Sequence, residues 1–446
     1  MRQRSTRWIA LLVLAGLWSR AVAQQAPMVS PAGPSGQLPE ITAELDNYVR
    51  DLEYPQLERS LARFKASSDV DYFQGILANR EGRVEASAAL LKKVVPRIRA
   101  SHPRRAAIAL HALADDYVKL YDYDKAINAY QDLMQHFAPL LGDAERQSTR
   151  DDYHTVALLQ GAPPQTVSFD GPIDLPVHRN AVLGTLETTL TVRGVTEPWI
   201  LDTGANFSTV SASFAHRLGL QLSKNEAQTQ GITGAENRLR IAILPELKLG
   251  GATVRNVVLL VLDDSSLNVL VGPKSSYQIN AILGYPVLRA LERITFTSDG
   301  HFLAGPGSSS SRDGARLFMA FLTPLLQCKV EGRDVPFSFD TGAGNSTYSV
   351  RYLRAFPAQF RGLHKRLYIM GGAGGSRRMQ VYYLPHAQLG IGPTVVTLEN
   401  VPVVPALGMN GDRLFGNLGR DVIAPYHSFT IDFANMRFQL GDKVPD

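Results

Sequence analysis

The strongest constraint on this chain is a thirteen-residue stretch that it contains twice. Residues 199–211 read WILDTGANFSTVS, and residues 337–349, which lie 138 positions further along, read FSFDTGAGNSTYS. Each copy contains the triplet Asp-Thr-Gly, beginning at Asp202 and at Asp340, followed by Ala, Ser, Thr and Ser at the same offsets. One such triplet arises by chance in roughly one chain in ten of this length. Two triplets in a shared frame indicate a duplicated unit.

The duplication extends well beyond the two triplets. Residues 191–205 (TVRGVTEPWILDTGA) match residues 329–343 (KVEGRDVPFSFDTGA) at Val, Gly, Pro and Asp, and residues 281–288 (AILGYPVL) match residues 416–423 (GNLGRDVI). We predict that each longer stretch forms a β-hairpin, with its glycine in the turn and its aspartate at the end of the second strand. Two copies of one β domain are the simplest explanation.

The residue composition and the positions of Gly and Pro divide the rest of the chain into segments. Apolar residues at three- and four-residue spacing predict helices before residue 160, and runs of Val, Leu, Ile and Thr between Gly and Pro predict strands after it. The predicted fold is mainly β, a bilobal double β domain preceded by an all-α helical domain. We predict six segments: a signal peptide (1–23), a flexible linker (24–38), the helical domain (39–160), a first lobe (165–303), a Gly/Ser-rich joint (304–314) and a second lobe (315–446).

The first 23 residues have the pattern of a secretory signal peptide. Three arginines precede a short apolar run, WIALLVLAGLW, and the small residues Ala21, Val22 and Ala23 follow it. We expect an exported protein, periplasmic or secreted, that keeps no stable membrane span after cleavage. The alternative, a retained anchor, requires a longer apolar run. Cleavage removes four arginines and lowers the formal charge from +5 to +1, which gives no electrostatic reason to expect nucleic acid as a partner.

The helical domain contains a stretch that resembles a tetratricopeptide repeat, residues 109–139, with a weaker copy at residues 72–95 that has Gly75 and Gly82 in corresponding places. The small and aromatic positions of the first copy are occupied by Leu113, Ala114, Tyr117, Tyr123, Ala126 and Tyr130. The resemblance implies a groove for a peptide or a protein partner. Alternatively, these helices only cover hydrophobic surface of the next domain. With fewer than three clear repeats, the sequence leaves both interpretations open.

Two aspartates related by a duplication can be brought within hydrogen-bond distance by a pseudo-twofold axis. Carboxylates so close cannot both ionise, so the pair holds one proton over a wide pH range. The ionised member can then take a proton from a water that attacks an amide carbonyl, while the protonated member hydrogen-bonds the carbonyl oxygen. Thr203 and Thr341 are placed to hydrogen-bond across the axis. Gly204 and Gly342 lack Cβ, which lets the two backbones and the substrate approach closely.

The duplicated region, residues 180–442, resembles the aspartic peptidases of the retropepsin and pepsin group. Asp-Thr-Gly-Ala in both halves is closer to the retropepsin form than to the pepsin form, which usually has Ser or Thr after the glycine. Retropepsin-like domains also carry a hydrophobic–hydrophobic–Gly–Arg–Asn/Asp element that packs under the loop with the aspartate. Residues 417–421 (NLGRD) nearly fit it, with Asn417 at the first hydrophobic position. Residues 282–284 (ILG) keep only its first part, and Tyr285-Pro286 replaces Arg-Asp, so the first lobe lacks one buried ion-pair candidate.

The flap of this family is a glycine-rich hairpin that closes over the substrate. In the second half the resemblance assigns this role to Gly371, Gly372, Ala373, Gly374 and Gly375. In the first half it assigns the role to Gly231, Ile232, Thr233 and Gly234. Neither stretch contains the tyrosine that pepsin-like enzymes place over the cleft. An ordinary long loop is the alternative interpretation of the second stretch.

Other chemistries have no motif in this sequence. The run GGAGG fits neither the dinucleotide fingerprint nor the phosphate-loop pattern, and HExxH, CxxC and clustered histidines are absent, so we expect no metal and no cofactor. Cys328, the single cysteine, is expected to be buried as a small hydrophobe. We expect Ser208 and Ser346 to hydrogen-bond the loops with the aspartates rather than to act as nucleophiles.

The sequence therefore favours an exported aspartic endopeptidase that acts on polypeptides. Its catalytic residues, Asp202 and Asp340, lie on one chain, so a monomer suffices. The runner-up is a non-catalytic protein that keeps the fold and binds partners through its helical repeats. A third interpretation, in which each lobe pairs with the same lobe of another chain, is disfavoured by the serine-rich joint.

Overall fold

The computed structural model of this protein describes residues 10–12, 38–64, 68–230, 236–271, 275–307, 313–372, 375–405 and 413–445. The first range, Ala10–Leu12, is strand β1, which pairs in parallel with residues 370–372. It lies inside the segment that we expect to be cleaved as a signal peptide. Within the described ranges, no helix is long and apolar enough to cross a membrane.

Helices fill the chain from residue 38 to residue 157. They are α1 (Leu38–Asp51), α2 (Tyr54–Leu61), α3 (Ser68–Arg80), α4 (Val84–Ile98), α5 (Pro103–Lys119), α6 (Tyr123–Phe137) and α7 (Asp143–Ala157). Their starts follow ordinary helix chemistry. A proline occupies the first turn of α2 and of α5, where its missing N–H costs nothing. The Asp122 side chain accepts a hydrogen bond from the Lys125 N–H and so caps α6.

Successive helices pack in pairs, α3 with α4 and α5 with α6. Gly75 allows the first pair to approach closely, because a Cβ at this position would lie 2.5 Å from Leu91 Cδ2. Gly82, in the turn between the two helices, has a positive φ of 69°. The predicted all-α region is thus present, and its assignment to the tetratricopeptide repeats stays a prediction.

The first β-rich half begins after residue 165. Its strands are β2 (Thr166–Phe169), β3 (Ile173–Pro176), β4 (His178–Arg179), β5 (Leu186–Val192), β6 (Val195–Leu201), β7 (Ser208–Ser211), β8 (Ala227–Gln230), β9 (Glu236–Leu249), β10 (Ala252–Leu262), β11 (Asn268–Leu270), β12 (Ser276–Gln278), β13 (Ala281–Leu283), β14 (Arg293–Thr297) and β15 (His301–Ala304). Two short helices interrupt them, α8 (Ala212–Arg217) and α9 (Tyr285–Ala290).

The second half repeats this plan from residue 315 onward. Its elements are β16 (Ala315–Ala320), β17 (Thr323–Val330), β18 (Arg333–Phe339), β19 (Thr347–Ser349), α10 (Val350–Ala355), β20 (Arg366–Gly372), β21 (Gly375–Ile391), β22 (Thr394–Val404), β23 (Gly416–Leu418), β24 (Ser428–Asp432) and β25 (Arg437–Leu440).

The strand order shows the duplication directly. The first sheet runs β5-β6-β13-β7-β10-β9-β8, and the second runs β17-β18-β23-β19-β22-β21-β20, so each strand has its counterpart in the same place. The hairpins β5–β6 and β17–β18 turn at Gly194 and Gly332, whose φ angles are 80° and 78°. Glycine adopts this conformation without strain. The predicted bilobal double β domain is confirmed.

The two lobes are joined by a shared sheet. Strand β14, which closes the first half, pairs antiparallel with β24, which closes the second half. Strands β15 and β3 continue the same sheet on one side, and β25 and β16 continue it on the other. Because the pairing is formed within one chain, the two lobes are held in a fixed relation to each other.

The helices pack against both lobes. Phe318, Leu325 and Leu414 of the second lobe lie in one buried cluster with apolar side chains of α1 to α6. At the end of α1, the Arg413 guanidinium donates hydrogen bonds to the carbonyl oxygens of Arg50 and Val49, at 2.6 and 2.9 Å. These bonds satisfy carbonyls that a helix end leaves without partners. The helical region and the second lobe therefore cover apolar surface on each other.

Candidate active site

Each aspartate stands at the end of a buried strand, where its backbone is fixed by a neighbour. The Asp202 N–H donates to the Leu283 carbonyl oxygen of β13, and the Asp340 N–H donates to the Leu418 carbonyl oxygen of β23, both at 3.0 Å. We call residues 202–205 and 340–343 the two aspartate loops. Because β6 and β18 are equivalent strands, the two loops meet at the junction of the lobes.

The two carboxyl groups are buried and lie within hydrogen-bond distance of each other. In each loop the aspartate Oδ1 accepts the N–H of its own glycine, Gly204 or Gly342, at 2.8 Å. The glycines also pack across the junction. A Cβ on Gly204 would lie 2.5 Å from Asp340 Cγ, and a Cβ on Gly342 would lie 2.5 Å from Asp202 Oδ2. Neither position can carry a side chain while the other lobe keeps its carboxyl group in place.

The two threonines bind each loop to the other. The Thr203 N–H donates to Thr341 Oγ1 at 3.0 Å, and the Thr341 N–H donates to Thr203 Oγ1 at 3.1 Å. Each hydroxyl then donates to a carbonyl oxygen of the opposite lobe, Leu201 at 2.8 Å and Phe339 at 3.4 Å. This reciprocal set fixes the separation of the two aspartates.

Burial raises the pKa of both carboxyl groups above the usual value for an aspartate. The nearby charge and hydrogen bond of Asp340 raise the pKa of Asp202 further, to well above the usual range. Asp202 Oδ2 has no donor among the described residues other than the carboxyl group of Asp340. Two such oxygens can share a hydrogen bond only when one carries a proton, so the pair retains a proton where isolated carboxyl groups would ionise.

Two serines support the aspartate loops from the adjacent strands. Ser208 Oγ accepts the Gly284 N–H at 3.1 Å, and Ser346 Oγ accepts the Gly419 N–H at 3.0 Å. Ser346 also donates to Asp421 Oδ1 at 2.6 Å, and its own N–H donates to Asp421 Oδ2 at 2.8 Å. Each hydroxyl thus bonds the glycine directly after the leucine whose carbonyl oxygen accepts the aspartate N–H, and so supports the aspartate loop indirectly.

The Arg420 side chain lies beneath the second aspartate loop. Its Nη1 donates to the carbonyl oxygens of Thr341 and Gly342, at 2.6 and 2.9 Å, and its Nη2 donates to the Leu183 carbonyl oxygen of the first lobe at 3.2 Å. Burial lowers the pKa of Arg420 to about 10, so it stays charged at neutral pH. Arg420 and Asp421 form no ion pair among the described residues. The expectation of a buried pair is corrected to two separate sets of hydrogen bonds to the loop.

Asn417 departs from the motif, which has a hydrophobic residue at this position, but its side chain contacts the site. Asn417 Nδ2 lies 3.4 Å from Asp340 Oδ2, and the Ser338 hydroxyl donates to Asn417 Oδ1 at 2.6 Å. A polar residue where the motif has an apolar one was the feature of the sequence that could have identified Asn417 as a site residue. It lies between two buried residues of β23.

The predicted flap of the second half lies at the end of a β-hairpin. Strands β20 and β21 pair up to Gly372 and Gly375, so Gly371 lies opposite Ser376. Ala373 and Gly374 lie outside the described residues. The hairpin reaches the site, because Tyr368 and Met370 of β20 share a buried cluster with Ala343 of the second aspartate loop.

In the first half, Gly231, Ile232, Thr233 and Gly234 all lie outside the described residues. The flanking strands β8 and β9 pair antiparallel up to Gln230 and Glu236. A hairpin therefore leads to and from this segment, at the place equivalent to β20–β21.

The other sequence predictions concern metal binding and the cysteine. Among the described residues, no group of three or more His, Cys, Asp or Glu side chains is placed to hold a metal ion. Cys328 is fully buried in β17, and burial raises the pKa of its thiol.

Comparisons with known proteins give one family match, which covers part of the chain. A family model for aspartyl proteases matches residues 188–287, which include Asp202. No curated protein matches. Among solved structures, conglutin gamma, a basic 7S globulin from lupine seeds, is 11% identical over 61% of this chain and 95% of its own, with a TM-score of 0.37. Basic 7S globulin from soybean is 13% identical over 62% and 95%, also at 0.37. A retropepsin-like aspartic protease from Rickettsia conorii is 20% identical over 32% and 96%, at 0.23. The chain has an aspartic-protease-like fold, and the family match falls on the first of its two lobes.

Proposed function

We propose that this protein is an aspartic endopeptidase that hydrolyses peptide bonds with a water activated between Asp202 and Asp340. The observation that carries the proposal is the pair of buried carboxyl groups within hydrogen-bond distance, at the junction of two equivalent lobes. A structural role alone gives no reason to bury two acidic groups against each other, because the mutual repulsion and the desolvation both oppose it.

The chemistry follows from the single proton of the pair. The ionised carboxylate takes a proton from a water, whose oxygen attacks the carbonyl carbon of the peptide bond. The protonated carboxyl group donates its hydrogen bond to the carbonyl oxygen and stabilises the tetrahedral intermediate. Transfer of a proton to the amide nitrogen then lets the carbon–nitrogen bond break. Which aspartate holds the proton is a property of the pair and not of one residue.

The surroundings of the pair support this cycle. Thr203 and Thr341 hold the carboxyl groups at a fixed separation, so little reorganisation accompanies each proton transfer. Because the lobes are joined by the β14–β24 pairing, one chain supplies the whole site, and we propose that the monomer is the active form. The signal-peptide pattern at residues 1–23 supports export of this enzyme.

The test uses the chain from Gln24 onward and an unfolded protein or a fluorogenic peptide library, between pH 4 and 8. We expect cleavage in the wild type, and inhibition by a peptide with a central hydroxyl that mimics the tetrahedral intermediate. Asp202→Asn and Asp340→Asn should each lower kcat by about a thousandfold or more, because one carboxyl group cannot be both base and acid. The control is Asp299→Asn, an exposed residue in the turn after β14.

Full turnover by either Asn variant of the pair would refute the shared mechanism. Absence of cleavage and of inhibitor binding across the pH range would instead favour the non-catalytic binding protein.

A further inference from the structure

The stretch of the second lobe that contains its flap has an excess of positive charge. From Thr341 to the end of β22 at Val404, the chain has seven Lys and Arg residues and one carboxylate, Glu399. The equivalent stretch of the first lobe, Thr203 to Leu262, has six Lys and Arg residues and three glutamates. The excess of six positive charges in one segment stands out in a mature chain whose net charge is expected to be only +1.

The pairing of β20 with β21 assigns these charges to two faces. Residues directly opposite each other in an antiparallel pair lie on the same face of the sheet. Met370 lies opposite Arg377, and Ile369 lies opposite Arg378. Arg377 therefore shares a face with Met370 and Tyr368, whereas Arg378 lies on the opposite face.

Burial identifies which face is turned toward the site. Met370 is 2% exposed and Tyr368 is 7% exposed, and both lie in the cluster with Ala343 of the second aspartate loop. On the other face, Leu367 and Ile369 are 55% and 37% exposed. We call the face with Met370 the inner face of the flap. Apart from Gly375, Arg377 is the residue of β21 on this face that lies nearest the glycine-rich tip.

Arg377 has no acidic partner among the described residues. Within the part of the chain that the structure describes, no carboxylate forms an ion pair with Arg377 or with its neighbour Arg378. Arg366, further down the same inner face, lies over the ring of Tyr383 at 4.1 Å, and it also has no acidic partner there. A cation on the wall of a binding cleft raises the affinity for ligands that carry negative charge.

We propose that this site prefers polypeptide substrates with an acidic side chain close to the cleaved bond, and that Arg377 is the residue that determines this preference. The inference rests on the proposed peptidase function. A polypeptide is favoured over a nucleic acid because buried Tyr368, Met370 and Val381 make much of the inner face apolar. The inner face also lies toward a pair of acidic groups that would repel a continuous chain of phosphates.

The test is a set of peptides with the same apolar residues at the cleaved bond. One position is varied among Glu, Gln and Lys, from three residues before the bond to three after it, above pH 5 so that Glu is ionised. At the best position we expect kcat/KM for the Glu peptide to exceed that for the Gln peptide by about fivefold at low salt, which is typical of a partly exposed ion pair. Because salt screens such pairs, the ratio should fall as the ionic strength rises.

Two adjacent variants separate the faces of the flap. Arg377→Gln should reduce the Glu/Gln ratio to about one, and Arg378→Gln, which removes the same charge from the outer face, should keep the wild-type ratio. An unchanged ratio in Arg377→Gln, or an equal loss in both variants, would overturn the assignment to Arg377. Cleavage of all peptides without a Glu preference would overturn the inference and leave the peptidase function intact.

A binding measurement covers the case in which no peptide is cleaved. Non-cleavable Glu and Gln peptides with a central hydroxyl are titrated into the same three proteins, together with a single-stranded oligonucleotide of equal charge. Tighter binding of the Glu peptide that depends on Arg377 supports the inference without catalysis. Equal dissociation constants for Glu and Gln, or binding of the oligonucleotide alone, overturn it.

Discussion

Positions 285 and 420 are equivalent in the two lobes, yet a tyrosine occupies the first and an arginine the second. Arg420 donates to the backbone of its own aspartate loop and to Leu183 of the other lobe. Tyr285 contacts the other lobe through its ring instead. Its ring packs edge-on against Phe433, with centroids 5.6 Å apart, and its N–H donates to the Ala205 carbonyl oxygen.

The next residue extends the contrast. Asp421 bonds Ser346 twice, whereas Pro286 at the equivalent place offers only its carbonyl oxygen, which accepts from Gln165 Nε2 at 2.9 Å. Gln165 also donates to the hydroxyl of Tyr121, just after helix α5, at 3.0 Å. The second lobe thus supports its loop with its own charged side chains, whereas Pro286 of the first lobe is linked through Gln165 to the helical region. The two aspartates are therefore placed in the same way although different contacts support them in the two lobes.

The largest effect should come from removing the charged support. Arg420→Met leaves three buried carbonyl oxygens without donors, so we expect the free energy of unfolding to fall by about 3 kcal/mol or more. Urea denaturation followed by circular dichroism measures the loss, with the exposed Arg361→Met as control. A loss below about 1 kcal/mol would show that the lobes do not differ in this way.

Replacing Tyr285, the apolar support of the first lobe, should lower the free energy of unfolding somewhat less. Tyr285→Leu removes a ring contact and leaves unfilled volume between the first lobe and the helices, so we expect a loss of about 2 kcal/mol in the same denaturation experiment. Unlike the loss in Arg420→Met, this loss should not change with salt. A salt-dependent loss would contradict the apolar role of this tyrosine.

The link to the helices should have a smaller and more local effect. Gln165→Ala breaks the bonds to Pro286 and Tyr121, at a cost of about 1 kcal/mol. Hydrogen exchange should become faster in α9 and remain unchanged at residues 420–423. Equal acceleration in both places would show that the helical region supports both loops.

The smallest effect is a pH dependence confined to the second lobe. Burial raises the pKa of Asp421, so the folded state holds its proton more tightly than the unfolded state. Its contribution to stability is greatest below the usual aspartate pKa of about 3.9 and falls as the pH rises through the folded pKa. Wild type should lose stability relative to Asp421→Asn over this rise. Pro286→Ala, which changes no titrating group, should show no such difference.

Several of these features could be predicted from the sequence, because local spacing controls them. The duplicated hairpins and the mainly β bilobal fold follow from turn glycines and strand patterns, and the structure confirms this fold class. The structure also brings Asp202 and Asp340 together, as a twofold arrangement of equal hairpins requires. Their catalytic role stays a prediction.

The remaining features depend on contacts between residues distant in sequence. Helical periodicity shows which face of a helix is apolar, but it does not identify what covers that face, so the packing of α1 to α6 on Phe318 and Leu325 could not be predicted. Arg420 next to Asp421 suggested an ion pair because the two are adjacent. Their actual partners, such as the Leu183 carbonyl oxygen, lie in other parts of the chain.

The contact between Arg413 and the end of helix α1 has a consequence for the order of events during synthesis. The two partners are separated by up to 364 residues. Helix α1 emerges from the ribosome early, but its last carbonyl oxygens cannot receive these donors until the second lobe is almost complete. Contacts of such long sequence separation form late and slow the folding of a chain.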